Sequence, residues 1–460
     1  MKKGYADEIY VEFADGPSSW PQCRPPQRAM ATILALALAS AGASDVPFEA
    51  TFSALETIGS SNYTHFWMPT PLARLSAAPT APLFAHVDLC GDGGACPPPG
   101  HPQQHTAYFS EPAAGGRWAR DAHALAANAL IRLNATATRG LGGITLDPAT
   151  NNTATVTYND WSTDSAGRIS TPPRAGTAAV TGLPDMGQIA YFQSTPSAIL
   201  PTGGGGDVAL AQFYGYGAAA VGLGGCTAIK SRGCYSTFTL ASHDKGASWQ
   251  FRSAIHWDKR MPAHVEGPCE PTLVTLPDGK TLLSIFRLKG AGGNLWQATS
   301  ADAGRTWSAA VETNAWAVFP QAKVLPSGAL VLTAGRPGIG LWLADGRGAA
   351  GPDPTSWKFH NLAKAHNTLV GASKMDPAML YPAAELAVAN CSSTPSSPAA
   401  TKAYTGLETM GCDDKISKSC TLVVSYDRLA NGNAGPDPGP GPHGAVDAAF
   451  TMRVTVKALK

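Results

Sequence analysis

The sequence carries little charge. Asp, Glu, Lys and Arg make up 15% of its 460 residues and leave a formal net charge of +1. Such a composition has no electrostatic footprint for nucleic acid. Helical periodicity is also scarce: Asp121–Leu133 is the best stretch and reads as a loop helix. No Cys pair stands at zinc-finger spacing with a matching His set, and no phosphate-cradling loop or metal-ligand cluster occurs, so neither a metal nor an organic cofactor is expected. Beyond the N-terminal region no apolar run could cross a bilayer. Abundant instead are Gly and Pro, 49 and 37 residues, interleaved with short apolar runs and 11 Trp. That balance predicts an all-β fold of many short strands joined by tight turns. Length alone fits two or three domains, although all-β folds often run long as one unit.

The first 45 residues read as an extension that carries an address. Arg24 and Arg28 precede the apolar stretch Met30–Ala39, which ends in small residues through Ala43 and Ser44. This is the pattern of a secretory signal starting at Met30, with a short membrane anchor as the other reading. The expected location is secreted, lumenal or extracellular. Eight Cys follow this region. Three close pairs, Cys90/Cys96, Cys226/Cys234 and Cys412/Cys420, suit loop-closing disulfides, and Cys269 with Cys391 would form a long-range bridge. The other reading of these residues is buried free thiols. Asn62, Asn134, Asn151 and Asn390 lie in N-x-S/T sequons.

Internal repeats are the most informative feature. Ser242-His-Asp244-Lys-Gly246-Ala-Ser-Trp249 recurs as Ser300-Ala-Asp302-Ala-Gly304-Arg-Thr-Trp307, both fitting S-x-D-x-G-x-x-W. One chance match is on the order of one in a thousand from average residue usage. The physics is that of a hairpin turn. Asp accepts backbone N–H groups, Gly takes a positive φ, and Trp anchors the turn to the core. Asp244 and Asp302 are therefore structural. Leu276-Pro-Asp-Gly279 and Leu325-Pro-Ser-Gly328 each open an apolar strand that ends in Arg, at Arg287 and Arg336; Leu200-Pro-Thr-Gly203 does so without the Arg, and Glu408–Tyr426 reads as a degenerate copy. A supersecondary period of about 50 residues indicates propeller blades. Residues 92–118, 345–356 and 431–444 read as loops.

With Cys269-Glu270-Pro271 and Gly335-Arg336-Pro337-Gly338, these repeats resemble the sialidase (neuraminidase) superfamily, especially its Asp-box (BNR-repeat) branch of exo-sialidases, from about residue 190 onward. The resemblance implies a six-bladed β-propeller of four-stranded antiparallel blades over residues 46–460. It also implies an exo-glycosidase that removes terminal sialic acid, or a related acidic sugar, from a glycan. The chemistry explains the residue types. A carboxylate on the anomeric carbon repels an anionic nucleophile, so a Tyr deprotonated by a neighbouring Glu attacks instead. Arg supplies the bidentate fork for that carboxylate, and a further acid protonates the leaving oxygen. Carried over by position, Tyr404 resembles the nucleophile, with Tyr426 as its rival. Glu270 resembles the base, and Arg287 and Arg336 the second and third arginines of the carboxylate clamp. Asp88 and Asp92 are the two candidates for the acid.

One departure stands out. Where the family places its first clamp arginine, Phe66-Trp67-Met68-Pro69 carries Trp67; Arg74 lies seven residues later, outside the motif. Loss of one charge-assisted contact costs about 1.5–3 kcal/mol of carboxylate binding, while Trp67 offers a stacking surface. Two other readings therefore stand beside the enzyme: a catalytically inactive propeller that binds glycans or proteins, and a glycosidase or lyase acting on a different sugar.

Overall fold

A computed structural model describes residues 46–61, 66–67, 72, 74–75, 81–89, 104–110, 118–121, 129–146, 154–183, 193–194, 198–202, 206–216, 234–263, 265–288, 293–336, 338–348, 350–373, 375–388, 404–413, 418–430 and 447–459. The chain opens with strand β1 (Phe48–Ser61). Next come β2 (Phe66–Trp67), β3 (Leu83–Leu89), β4 (Gln104–Ser110) and β5 (Trp118–Asp121). They are followed by β6 (Ala129–Asn134), β7 (Ala137–Leu146), β8 (Ala154–Thr163) and β9 (Ile169–Thr181). Then come β10 (Gln193–Ser194), β11 (Ala198–Thr202), β12 (Gly206–Tyr216), β13 (Tyr235–Ser242) and β14 (Ser248–Ile255). The next group is β15 (Cys269–Thr275), β16 (Leu282–Arg287), β17 (Asn294–Ser300) and β18 (Val311–Trp316). It precedes β19 (Val318–Val324), β20 (Ala329–Gly335), β21 (Ile339–Asp345) and β22 (Lys358–Asn361). Helices α1 (Leu362–Ser373) and α2 (Ala383–Leu386) lead to β23 (Gly406–Asp413), β24 (Ser419–Arg428) and β25 (Asp447–Ala458).

These strands form four-stranded antiparallel sheets. β2–β5, β15–β18 and β19–β22 each follow chain order, and β23, β24 and β25 are completed by β1. A nine-stranded sheet joins two antiparallel runs, β6–β9 and β10–β14, through a three-pair parallel ladder of β14 on β9. The first strands of the last three sheets are neighbours, β15 beside β19 and β19 beside β23. The result is a β-propeller-like arrangement. β20 (ALVLTAG), a middle strand, is buried on both faces, which is why it reads as an unbroken run rather than an alternation. Between the β15–β18 and β19–β22 sheets, Trp316 and Trp342 meet edge to face at 5.4 Å, with Phe359 5.6 and 5.1 Å from their rings.

Both copies of the Ser-x-Asp repeat close their hairpins in the same way. Ser242 Oγ and Ser300 Oγ donate to the Asp244 and Asp302 carboxylates, at 2.7 and 2.8 Å, and accept the N–H of Gly246 and Gly304. Each Asp also accepts the N–H and hydroxyl of the residue four positions on, Ser248 or Thr306. These bonds outweigh burial and hold both carboxyls below their ordinary pKa. Lys245 and Ala303, directly after each Asp, take φ of 57° and 58°. Both carboxylate oxygens of each aspartate are engaged in the turn.

Two expectations change. The described residues of Asp121–Leu133 are strand: Asp121 ends β5, and Ala129–Asn134 is β6, with Ala129 and Ile131 buried at period two. Pairing with β7 overrides the helical propensity of this Ala- and Leu-rich stretch. Nor are residues 92–118 all loop, since β4 pairs along β3 inside them. The longest helix among the described residues, α1, went unread. Its signals are a buried stripe at Leu362, Ala363, His366 and Val370, and Asn361 capping the N–H of Lys364 at 2.9 Å.

His366 fastens α1 to the last sheet. Its Nε2 faces the Met379 carbonyl at 3.1 Å and must carry the proton, so Nδ1 accepts from Tyr426 Oη at 3.0 Å. Burial pushes the imidazole down to about 4. An unfolded His titrates near 6.5, so the unfolded chain binds this proton first. The stabilisation is complete above pH ~6.5 and falls by roughly 1.4 kcal/mol per pH unit between there and about 4. Burial pushes His360 down to about 4 and lowers His256 as well, so urea midpoints followed from pH 7.5 to 4.5 are expected to drop by more than that single-group slope, and His366→Gln is expected to make the drop shallower.

Candidate active site

The site is built on two β-bulges. In β15, Cys269 pairs with Arg287 and Thr272 with Ile285, so Glu270 and Pro271 share the single residue opposite them. In β19, Val318 pairs with Gly335 and Gln321 with Thr333, leaving Phe319 and Pro320 in the same situation. Proline suits a bulge because it has no N–H to offer the ladder. The bulge drives Glu270 and Phe319 to φ of 47° each, and Arg336, just past the end of β20, has φ 63°. A non-Gly residue in this region costs on the order of 1–3 kcal/mol and persists only where its surroundings over-determine it. Three of the seven such residues among those described gather here.

Tyr404 enters just before β23 and completes the group. Its Oη donates to Glu270 Oε1 at 3.3 Å, long for an O–H···O bond. Arg336 Cζ lies 5.7 Å from the centre of the Tyr404 ring, and the Phe319 ring packs on the same phenol at 4.7 Å. Thr405 Oγ1 bonds Thr333 Oγ1 at 3.0 Å and ties the chain to β20. Gly406 admits the close approach: a Cβ there would lie 2.5 Å from Leu72 N and 2.4 Å from Ser425 Oγ.

Glu270 is 3% exposed, and its carboxylate is fully engaged. Oε2 accepts the Phe319 N–H at 2.9 Å and forms an ion pair with Arg287, whose Nε lies 2.9 Å away, while Oε1 faces the phenol. Arg287 is also ion-paired with Glu266, Nη2 lying 3.1 Å from Oε2. Burial works against the Arg287 charge, but the Glu270 carboxylate and its neighbours outweigh it and hold the guanidinium well above its ordinary pKa. A buried carboxylate held on one oxygen by an N–H and a guanidinium, with a phenol donating to the other, is placed to accept a proton from that phenol.

Glu270, Arg287, Arg336 and Tyr404, expected to work together, thus meet across three adjacent sheets. Tyr426 does not join them; it is buried against His366. Arg74 makes contacts on β23. Its guanidinium lies against Met410, 3.5 Å from the carbonyl and 3.4 Å from Sδ, farther along β23. Trp67 and Asp88 are register partners of β2 and β3; their side chains lie outside the described residues, as does the whole of Asp92. Phe319 and Glu266 were not anticipated. The signal for Phe319 was available in Val318-Phe319-Pro320, which repeats the X-Pro opening of Cys269-Glu270-Pro271.

The cysteine pairing is corrected at one position. Cys269 is a free buried thiol with Sγ 3.7 Å from the Arg287 carbonyl, not half of a bridge to Cys391. Burial pushes that thiol far up, so it stays neutral. Cys412 and Cys420 are disulfide-bonded across β23 and β24, and Cys234 is disulfide-bonded as well. Among the described residues no His, Cys, Asp and Glu group could hold a metal ion, and no helix is long and apolar enough to cross a membrane.

No family model and no curated protein matches the chain. Solved structures of related shape do. A protein of unknown function from Dyadobacter fermentans aligns over 88% of this chain and 98% of its own, at 14% identity and a TM-score of 0.52. Trypanosoma rangeli sialidase in complex with a difluoro-KDN aligns over 88% of this chain and 58% of its own, at 12% identity and a TM-score of 0.45. Penicillium chrysogenum α-L-arabinanase complexed with arabinobiose aligns over 87% and 98%, at 11% identity and a TM-score of 0.45. Glycoside hydrolases thus stand among the structural neighbours, at identities that speak to fold alone.

Proposed function

We propose that this chain is a six-bladed β-propeller over residues 46–460, with the two runs of the nine-stranded sheet counted as separate blades, and that it is a retaining exo-glycosidase for terminal sialic acid or a related acidic sugar. The observation that carries this reading is the Tyr404–Glu270 pair, with Arg287 on the far carboxylate oxygen and Arg336 beside the phenol. Tyr404 Oη attacks the anomeric carbon and passes its proton to Glu270 Oε1 while the glycosidic C–O bond breaks. The leaving oxygen takes a proton from Asp88 or Asp92. Water, deprotonated by that same aspartate, then displaces Tyr404, which recovers its proton from Glu270. Disulfide-bonded Cys412 and Cys420 support a place outside the cytosol.

A second reading, glycan binding without turnover, is favoured by one feature: Trp67 stands where a first clamp arginine would be. A fluorogenic sialoside separates the two. The enzyme releases fluorophore, and its first-formed sugar, followed by NMR, keeps the anomeric configuration of the substrate. Binding to sialylated glycans with no release supports the second reading, and release with inversion removes Tyr404 as nucleophile.

A further inference from the structure

Arg287 is already engaged by two carboxylates, and that bears on the class of sugar the site takes. The Nε and Nη2 edge of a guanidinium is the one that grips a carboxylate side-on with two parallel bonds. Here that edge faces two protein carboxylates as ion pairs, Nε 2.9 Å from Glu270 Oε2 and Nη2 3.1 Å from Glu266 Oε2, with neither contact in hydrogen-bond alignment. The Glu270 side is sealed, while the Glu266 side chain is 34% exposed. An incoming carboxylate must therefore displace Glu266 or accept from the remaining N–H groups with that negative charge alongside. Glu266 is held in place by its backbone. Its N–H donates to the Leu288 carbonyl at 2.8 Å, and its own carbonyl accepts from Tyr235 N–H at 2.8 Å. The next residue, Gly267, has φ 98°, and a Cβ there would lie 2.4 Å from the Tyr235 carbonyl oxygen. The charges of Arg287 and Arg336 are matched in number by those of Glu270 and Glu266.

We infer that Glu266 is a specificity-determining residue: it competes with a sugar carboxylate for Arg287, and its charge sets how far the site prefers a carboxylated sugar over the same sugar made neutral. This rests on reading the site as a sugar site, though not on the identity of the nucleophile. With Glu266 ionised, the preference is small, because the carboxylate gains one guanidinium contact by losing another and meets a like charge. With the charge removed, Arg287 Nη2 turns to the ligand.

The test is equilibrium binding in Tyr404→Phe protein, which cannot pass through a Tyr404 adduct. The probes are the methyl glycoside of sialic acid and its C1 carboxamide, and the quantity read is the ratio of their dissociation constants by calorimetry. Glu266→Gln, which keeps the shape and a hydrogen-bond acceptor for Arg287, is expected to shift the ratio toward the acid by on the order of tenfold. That gain is expected to shrink as salt is raised. Glu266→Asp, too short to hold Nη2 in the same geometry, is expected to fall between. Binding of the corresponding thioglycosides to protein with Tyr404 intact repeats the measurement should the Phe variant fold poorly. If both probes bind and Glu266→Gln leaves the ratio unchanged or moves it toward the amide, the inference is overturned while the glycosidase reading stands. If neither probe binds any variant, the sugar-site reading falls and the inference falls with it.

Discussion

Replacing Glu270 by Gln is expected to lower kcat by about 10²- to 10⁴-fold, and replacing Tyr404 by Phe by at least as much. Gln cannot take the phenolic proton, so the nucleophile stays a neutral phenol, a poor one near neutral pH. It also leaves Arg287 Nε and the Phe319 N–H facing a neutral amide in place of a buried carboxylate, because both converge on Glu270 Oε2. Some of the loss therefore comes from a displaced side chain. Comparison with Glu270→Asp separates the two contributions: the shorter acid keeps the charge and loses the geometry. Because the phenol and its base act as a unit, the double variant is expected to be no worse than the more damaged single. Fluorophore release from the sialoside, with KM and kcat measured separately, is the check. Multiplicative losses in the double variant would show that the two residues act independently.

The largest expected effect on stability lies far from the site. β1 pairs along almost the whole of β25, from Phe48 opposite Ala458 to Ser61 opposite Asp447. The last sheet thus takes its outer strand from the first described segment of the chain. β1 covers the edge of β25, and removing it exposes an unpaired edge along β25. Phe48 is 1% exposed in the core shared by the last two sheets. Phe48→Ala is expected to cost about 3–5 kcal/mol, read as a lower urea midpoint. Removal of residues 46–61 is expected to abolish cooperative unfolding and to give aggregates on size-exclusion chromatography. A truncated chain that stays monomeric and unfolds at the parent midpoint would show that the pairing of β1 with β25 contributes little.

Much of this was legible because the signals were local. The Ser-x-Asp turns could be read from eight residues, since Ser242, Asp244 and Gly246 bond to one another and to Ser248. The strands ending in Arg287 and Arg336 could be read from their Pro-Gly openings. Glu270, Arg287, Arg336 and Tyr404 were nameable through resemblance alone, since 134 positions separate Glu270 from Tyr404 and no periodicity joins them. What escaped was set by tertiary pairing. Ala129–Asn134 has helical composition but is claimed by β7. The thiol of Cys269 looked like half of a bridge, yet it packs beneath Arg287. Phe319 and Glu266 carry no chemistry in isolation; a bulge turns the N–H of one toward Glu270, and a pinned turn sets the other on Arg287.

The account depends on a covalent bond forming at Tyr404 Oη. Incubation with a sialic acid derivative carrying fluorine beside the anomeric carbon and a good leaving group slows the second step more than the first. Intact-mass analysis followed by peptide mapping then finds the adduct. The account predicts one sugar added per chain, on the peptide containing Tyr404, absent from Tyr404→Phe and slow to form in Glu270→Gln. An adduct on a carboxylate side chain, or full turnover of substrate by Tyr404→Phe, would contradict it.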